Sequence, residues 1–281
     1  MSEQHTRLRI LPCLDSDDMA TARQRELDIP RGTAEQLGRS AVEAADRGYY
    51  YDDVGRKVDW GDYVQASCSA KISISPDSPL STSECEPFDE TCIQVTNETT
   101  LQASLRLVNN GIRPPALNFA NGVHPGGGFL HGARAQEEVL CRSSALYHTL
   151  AGDPMYEEHR SRDLPDSTSW AIYSPDVPVF REDDGTTLDQ PWLLSFLTCA
   201  APYAPAVGQP ESGDLLQERM LRVLDIARAY GHSALVLGAH AVTIGDIPSL
   251  EWFQVHPNET APYNFITAGT FDAGRQYGNI L

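Results

Sequence analysis

Residues 117–138 read LNFANGVHPGGGFLHGARAQEE: an apolar run, three consecutive glycines (Gly126, Gly127, Gly128), then Gln136, Glu137 and Glu138. Residues 116–120 (ALNFA) are a buried-strand candidate, and from 136 to about 150 the apolar Val139, Leu140, Ala145, Leu146 and Leu150 recur at helical spacing. Strand, glycine loop and helix together make an anion cradle in physical terms. Glycines let the backbone approach a ligand where a Cβ would collide and permit positive φ, while amides and a helix N-terminus supply positive partial charge. Taken alone, three glycines are more often a turn, and two acids at a helix start are as readily caps favoured by the helix dipole. The loop is not a P-loop, since no Gly-Lys-Ser/Thr follows, and its glycine spacing is not the dinucleotide fingerprint. On the functional alternative, one carboxyl of the pair, partly desolvated beside a ligand, has a raised pKa and acts as general acid and base on a glycosidic bond. Its neighbour points elsewhere and has a different task.

Outward from this segment, strands and helices alternate. Residues 34–47 favour helix, stopped by Gly48. Residues 66–91, rich in Ser, Pro, Cys and Asp, read as a loop or linker. A short strand at 93–95 precedes a helix through TTLQASLRLVNN, capped by Thr96 or Asn97 and ending at Gly111. Further strands are expected at 170–174, 177–180, 193–199 and 234–238, a helix at about 214–230, a hairpin turn at Asp183-Asp184, and a last strand at Phe265-Ile266. The alternation argues for an α/β domain with a central sheet.

The 281 residues carry 21 basic and 39 acidic side chains, a net charge of −18. That balance excludes a nonspecific electrostatic grip on duplex nucleic acid, so an anionic ligand has to be held by backbone N–H groups and a helix terminus. Six cysteines lack any CxxC or zinc-ligand spacing and read as reduced thiols. With neither a signal-peptide core nor a membrane-length apolar run, the cytosol or nucleus is the expected compartment.

The pairing of GGG with QEE resembles the signature of poly(ADP-ribose) glycohydrolases of the compact microbial and fungal branch. The likeness continues through CRSSALY (141–147), AIYSPDVPVFRED (171–183), SFLTCAAPYAP (195–205) and LVLGA (235–239), so it spans roughly residues 90–240. It implies a macrodomain, a three-layer α/β/α sandwich with a mixed sheet, at 81–281, preceded by a helical or loop extension at 1–80. It also implies hydrolysis of the ribose–ribose O-glycosidic bonds of poly(ADP-ribose), with Glu138 as general acid and base and Glu137 positioning the ribose. By the same resemblance Gln136 shapes the loop, and Gly126, Gly127, Gly128 and Phe129 line the distal ribose and diphosphate. Asn118 and Asn121 are ribose contacts or turn-stabilising residues, and Glu98 is an adenine acceptor or a first-turn acid. No metal or cofactor is called for. The partners implied are poly(ADP-ribose), ADP-ribose and ADP-ribosylated proteins, with no membrane and no duplex nucleic acid.

One stretch departs from the family pattern. Where members carry Trp-Gly-Cys-Gly and an aromatic residue after the LVLGA strand, this chain reads HAVTIGDIP at 240–248. Gly238, Thr243 and Gly245 are the phosphate-contact candidates there. A drifted loop is also compatible with a non-hydrolytic ADP-ribose reader, and an enzyme that removes single ADP-ribose units is a further alternative.

Overall fold

Strand periodicity in the middle of the chain decides the architecture. Along β6 (Pro115–Ala120), Ala116 enters one apolar core and Leu117 another; along β8 (Thr187–Ala200), Leu194 and Phe196 enter the first and Leu197 and Cys199 the second. A sheet buried on both faces needs a layer of helices on each side. The computed structural model, which describes residues 7–80, 90–239 and 265–270, supplies both.

The sheet is eight-stranded and mixed. The remaining strands are β1 (Arg7–Ile10), β4 (Ile72–Ile74), β5 (Glu90–Thr96), β7 (Ala171–Arg181), β9 (Ala234–Ala239) and β10 (Phe265–Thr270), in the order β1-β5-β10-β9-β6-β8-β7-β4. All pairings from β1 to β8 are parallel; β7 runs antiparallel to β8 and to β4. A separate hairpin joins β2 (Tyr49–Tyr51) to β3 (Lys57–Asp59). On the first face lie α2 (Arg31–Arg47), α3 (Gly61–Ala70), α4 (Thr100–Asn109), α5 (Gln136–Ser143) and α6 (Leu146–Leu150), and on the second α9 (Glu211–Ala229) packs Val223, Ile226 and Ala227. The α/β sandwich with a mixed sheet is the expected fold class. Helices α1 (Asp17–Leu27), α7 (Pro154–Arg160) and α8 (Ala204–Val207) and a single 3-10 turn at Phe129–His131 complete the described elements.

Several local expectations change. The helix foreseen over 136–150 is two: Ser144 is extended, bridges to Val179, and its hydroxyl donates to the Leu140 carbonyl and accepts from Leu146 N–H. A serine that offers the backbone these local bonds competes with the helical ladder. The strands foreseen at 170–174 and 177–180 are one strand with a bulge, where Asp176 takes a φ of 48°. The cap of α4 is Thr99, whose oxygen accepts from Gln102 N–H at 3.1 Å. Gly48 does end α2, at a φ of 77°. The segment read as linker from 66 holds the end of α3 and all of β4, a sheet edge strand.

The described part of the 1–80 segment, residues 7–80, carries three helices and also both outer strands of the sheet, β1 and β4. Helix α2 buries a stripe of small residues, Ala34, Gly38, Ala41, Ala44 and Ala45, which lets it lie close to the glycine loop. A Cβ on Gly38 would stand 2.6 Å from the Phe129 carbonyl oxygen. Division of the chain near residue 80 stays a proposal about independent folding.

Candidate active site

Helix α5 starts at the carboxyl end of β6, the edge where open α/β sheets bind ligands. Its first turn carries Glu137 and Glu138 side by side, 3% and 8% exposed. Consecutive positions on a helix point about 100° apart, so each carboxyl meets different partners. Glu137 is held through both oxygens: Oε2 accepts from Asn121 N–H at 2.7 Å, and Oε1 accepts from Gly126 N–H at 3.2 Å and from Asn118 Nδ2 at 3.3 Å. Glu138 is half held. Its Oε1 accepts from Gly128 N–H at 2.9 Å, whereas Oε2 is buried with no partner.

Burial pushes the Glu137 carboxyl up to about 8; the neighbouring Glu138 charge adds to the rise, and the three N–H donors oppose it. The raised carboxyl is thus the first of the pair. A group whose folded pKa lies above its unfolded value near 4.5 binds an extra proton in the native state, so its stabilising contribution is whole below that value and lost as pH climbs to about 8. Unfolding of the wild type and of Glu137→Ala, followed from about pH 5 to about pH 8, is expected to show the wild type losing stability relative to the variant by up to about 1.4 kcal/mol per pH unit. Parallel stability curves would contradict this assignment.

The glycine loop sits directly over the two acids. Gly126 and Gly127 have φ of 71° and 58°, left-handed conformations that glycine alone adopts without strain. A Cβ on Gly127 would fall inside contact distance of Glu138 Oε1 and 3.1 Å from Glu137 Oε2. The expectation that the loop amides face an anion needs correction. Gly126 N–H goes to Glu137, Gly127 N–H to the His124 carbonyl at 3.0 Å, and Gly128 N–H to Glu138, so all three are spent within the protein. The Gly126 and Gly128 amides turn to the carboxylates beneath them, which are strong charged acceptors.

The other candidates divide between site and scaffold. Asn118 is buried, donates to Glu137 and to Thr198 Oγ1 at 3.2 Å, and leaves Oδ1 without a partner. Asn121 uses its side-chain oxygen to accept from the Val123 and His124 N–H groups, the turn-stabilising alternative, while its backbone serves Glu137. Gln136 pairs its amide with the backbone of β6, accepting from Phe119 N–H at 2.9 Å and donating to the Leu117 carbonyl at 2.7 Å. Phe129 turns into the core, 1% exposed, against Gly38 and the Tyr147 ring, so its side chain lines no ligand surface. Glu98 is clamped by the Arg106 guanidinium on both oxygens, which holds its carboxyl below the usual range against the effect of burial. Gly238 lies in β9, opposite Gly269 of β10. Thr243 and Gly245, with the rest of 240–248, lie outside the described residues.

Sequence reasoning passed over the clamp on the loop's far side. His159, buried at the end of α7, meets the Gly122 carbonyl through Nδ1 at 3.0 Å and accepts from Thr168 N–H at Nε2 at 3.1 Å. Arg160 donates to the Val123 carbonyl at 2.7 Å. Together they fix the stretch that presents Asn121 N–H to Glu137; a histidine and an arginine on a short polar helix carry no signal for that. Among the described residues, no group of three or more His, Cys, Asp or Glu side chains is placed to hold a metal ion.

Comparison with known proteins bears on this geometry. Residues 38–182 match the family model for the catalytic domain of microbial-type PARG, a stretch that begins within α2. Poly(ADP-ribose) glycohydrolase from Thermomonospora curvata is 36% identical, with 87% of this chain and 95% of that one covered at a TM-score of 0.77. Its structure bound to the inhibitor ADP-HPD gives 35% identity, coverage of 86% and 94%, and a TM-score of 0.75. Poly(ADP-ribose) glycohydrolase from Deinococcus radiodurans in complex with ADP-ribose is 33% identical, with 75% and 91% covered and a TM-score of 0.62. No curated protein matches.

Proposed function

The chain belongs to the microbial-type poly(ADP-ribose) glycohydrolases, and from that premise we propose that Glu138 is the acid and base with which it cleaves ribose–ribose bonds. The protein is a glycosidase of poly(ADP-ribose). Its two acids are unequal, and the inequality supports different roles for them. A carboxylate offers about four lone-pair sites. Glu137 has three of its sites filled by N–H donors, which leaves one for a ribose hydroxyl and makes it a rigid positioner. Glu138 is fixed through one oxygen and keeps the other buried and uncommitted, in a place where a proton can be delivered. That uncommitted Oε2, on a carboxyl whose other oxygen is pinned under the glycine loop, is the observation that carries the reading.

In the proposed cycle, protonated Glu138 gives its proton to the leaving ribose oxygen as the glycosidic C–O bond breaks and oxocarbenium character develops. The carboxylate so formed takes a proton from the attacking water as the new C–O bond forms, which restores the acid and releases ADP-ribose. One group serves both half-reactions, as microscopic reversibility allows. Asn118 orients Glu137, and the glycines bring the loop backbone down onto both acids.

On this reading the substrate is polymer carried by ADP-ribosylated proteins inside the cell. The net charge of −18 supports the exclusion of duplex nucleic acid as a partner. Among the described residues, no helix is long and apolar enough to cross a membrane.

The test is incubation of the protein with polymer on an automodified acceptor, with free ADP-ribose quantified by chromatography and ADP-ribose binding followed by calorimetry. Steady release of ADP-ribose is expected. Binding without release would identify a reader, and release confined to mono-modified acceptors would identify a different hydrolase.

A further inference from the structure

We infer that Arg142 is a positioning residue for Glu138, acting from the buried side of the site together with Asp183. This rests on the assignment of Glu138 as the acid–base group. Arg142 stands four residues after Glu138 in α5, so the two side chains share one face of the helix. Its side chain is 1% exposed, and none of Nε, Nη1 and Nη2 has a partner. A guanidinium carries five N–H donors and cannot shed its charge, so burial without acceptors is among the costliest arrangements a protein can hold.

Two buried acids lie within its electrostatic reach. Asp183, 2% exposed in the turn that follows β7, has one oxygen bound by the Thr99 hydroxyl at 2.6 Å and the other, Oδ1, buried without a partner. Glu138 Oε2 is the second uncommitted acceptor. Burial lowers the Arg142 pKa, and the charges of Asp183 first and Glu138 second push it back up, so both acids lie within its electrostatic reach. Burial likewise pushes Asp183 up to about 6, against the pull of Thr99 and Arg142. One buried set of donors and two buried acceptors are thus all without hydrogen-bond partners and within electrostatic reach of one another.

The consequence for chemistry concerns the moment after proton delivery, when Glu138 becomes an anion in a low-dielectric site. A fixed cation one helical turn away stabilises that anion without reorganising. The same cation restrains the Glu138 carboxylate, whose other oxygen is tied to Gly128 N–H. Asp183, anchored by the cap of α4, keeps the guanidinium from drifting. All three side chains are buried, so solvent screens the interaction little.

The test uses the full chain with Arg142→Met, Arg142→Lys, Asp183→Asn and Glu138→Gln, measuring kcat and KM on polymer, ADP-ribose Kd by calorimetry, and Tm. For Arg142→Met, kcat is expected to fall about 100-fold, the size of a small misplacement of a catalytic group, with KM and Kd within about 3-fold. Arg142→Lys restores charge without the planar fork, and is expected to recover about 10-fold of that loss. Asp183→Asn keeps shape and loses charge, and is expected to lower kcat about 10-fold at unchanged KM. Wild-type kcat in Arg142→Lys and Asp183→Asn overturns the inference even if Arg142→Met does not fold. So does a fall in Kd affinity and Tm that tracks kcat in every variant, which marks a packing role alone. If instead Glu138→Gln keeps its activity, the acid–base assignment is what fails.

Discussion

Glu138→Gln is expected to lower kcat on poly(ADP-ribose) by about 1000-fold, within the range set by losing one general acid and base, while ADP-ribose affinity stays within about 10-fold. The separation follows from the two halves of the side chain. Oε1 accepts from Gly128 N–H at 2.9 Å, and an amide oxygen accepts there equally well, so the loop keeps its geometry. Oε2 has no protein partner, so the amide nitrogen that replaces it breaks no internal bond. What disappears is the ability to give up and regain a proton. Steady-state release of ADP-ribose from polymer, read beside calorimetry with ADP-ribose, separates the two quantities. A variant that turns over at the wild-type rate would sink the acid–base assignment; one that loses turnover and affinity together would make Glu138 a binding group.

How far the sequence foretold this site depends on the range of the interaction. The change from strand to loop to helix across 116–143 is local and was legible from periodicity, together with the two acids in the first turn of α5. The direction of the loop amides was not. Three glycines permit many backbone paths, and the one adopted is chosen by carboxylates ten or eleven positions later. The edge strands were illegible for a related reason. Arg7–Ile10 is four residues with every side chain exposed and Ile72–Ile74 is three, so neither displays an alternation long enough to read, and pairing with β5 and β7 decides them. Asp183 shows the same limit at a single residue. In the turn Asp183-Asp184-Gly185 it reads as a solvated turn acid, and the turn forms, closed by Gly185 N–H to the Glu182 carbonyl at 3.1 Å. Yet Asp183 is buried against Thr99, 84 positions earlier, a contact that no local pattern records.

Gly127→Ala is expected to cost activity far out of proportion to stability. At a φ of 58° an alanine bears roughly 1–2 kcal/mol of backbone strain, which lowers Tm modestly. The larger effect comes from the methyl group itself, which would overlap Glu138 Oε1 and crowd Glu137 Oε2 at 3.1 Å. Both acids would have to move, and a displacement of about 1 Å in a catalytic group costs on the order of 100-fold in kcat. The neighbouring Gly126→Ala provides the contrast. Its φ of 71° carries similar strain, but its methyl would meet the Phe129 ring at 2.9 Å and Cys141 Sγ at 3.2 Å, both in the core. Overpacking a core typically costs about 1–3 kcal/mol, so that variant should lose more stability and keep more of its turnover per folded molecule. Thermal unfolding and kcat measured on both proteins give the comparison its force, because each glycine is then judged against the same strain. If Gly127→Ala retained wild-type kcat, the loop would not be resting on the two acids, and the close approach that explains the need for glycine at this position would be wrong.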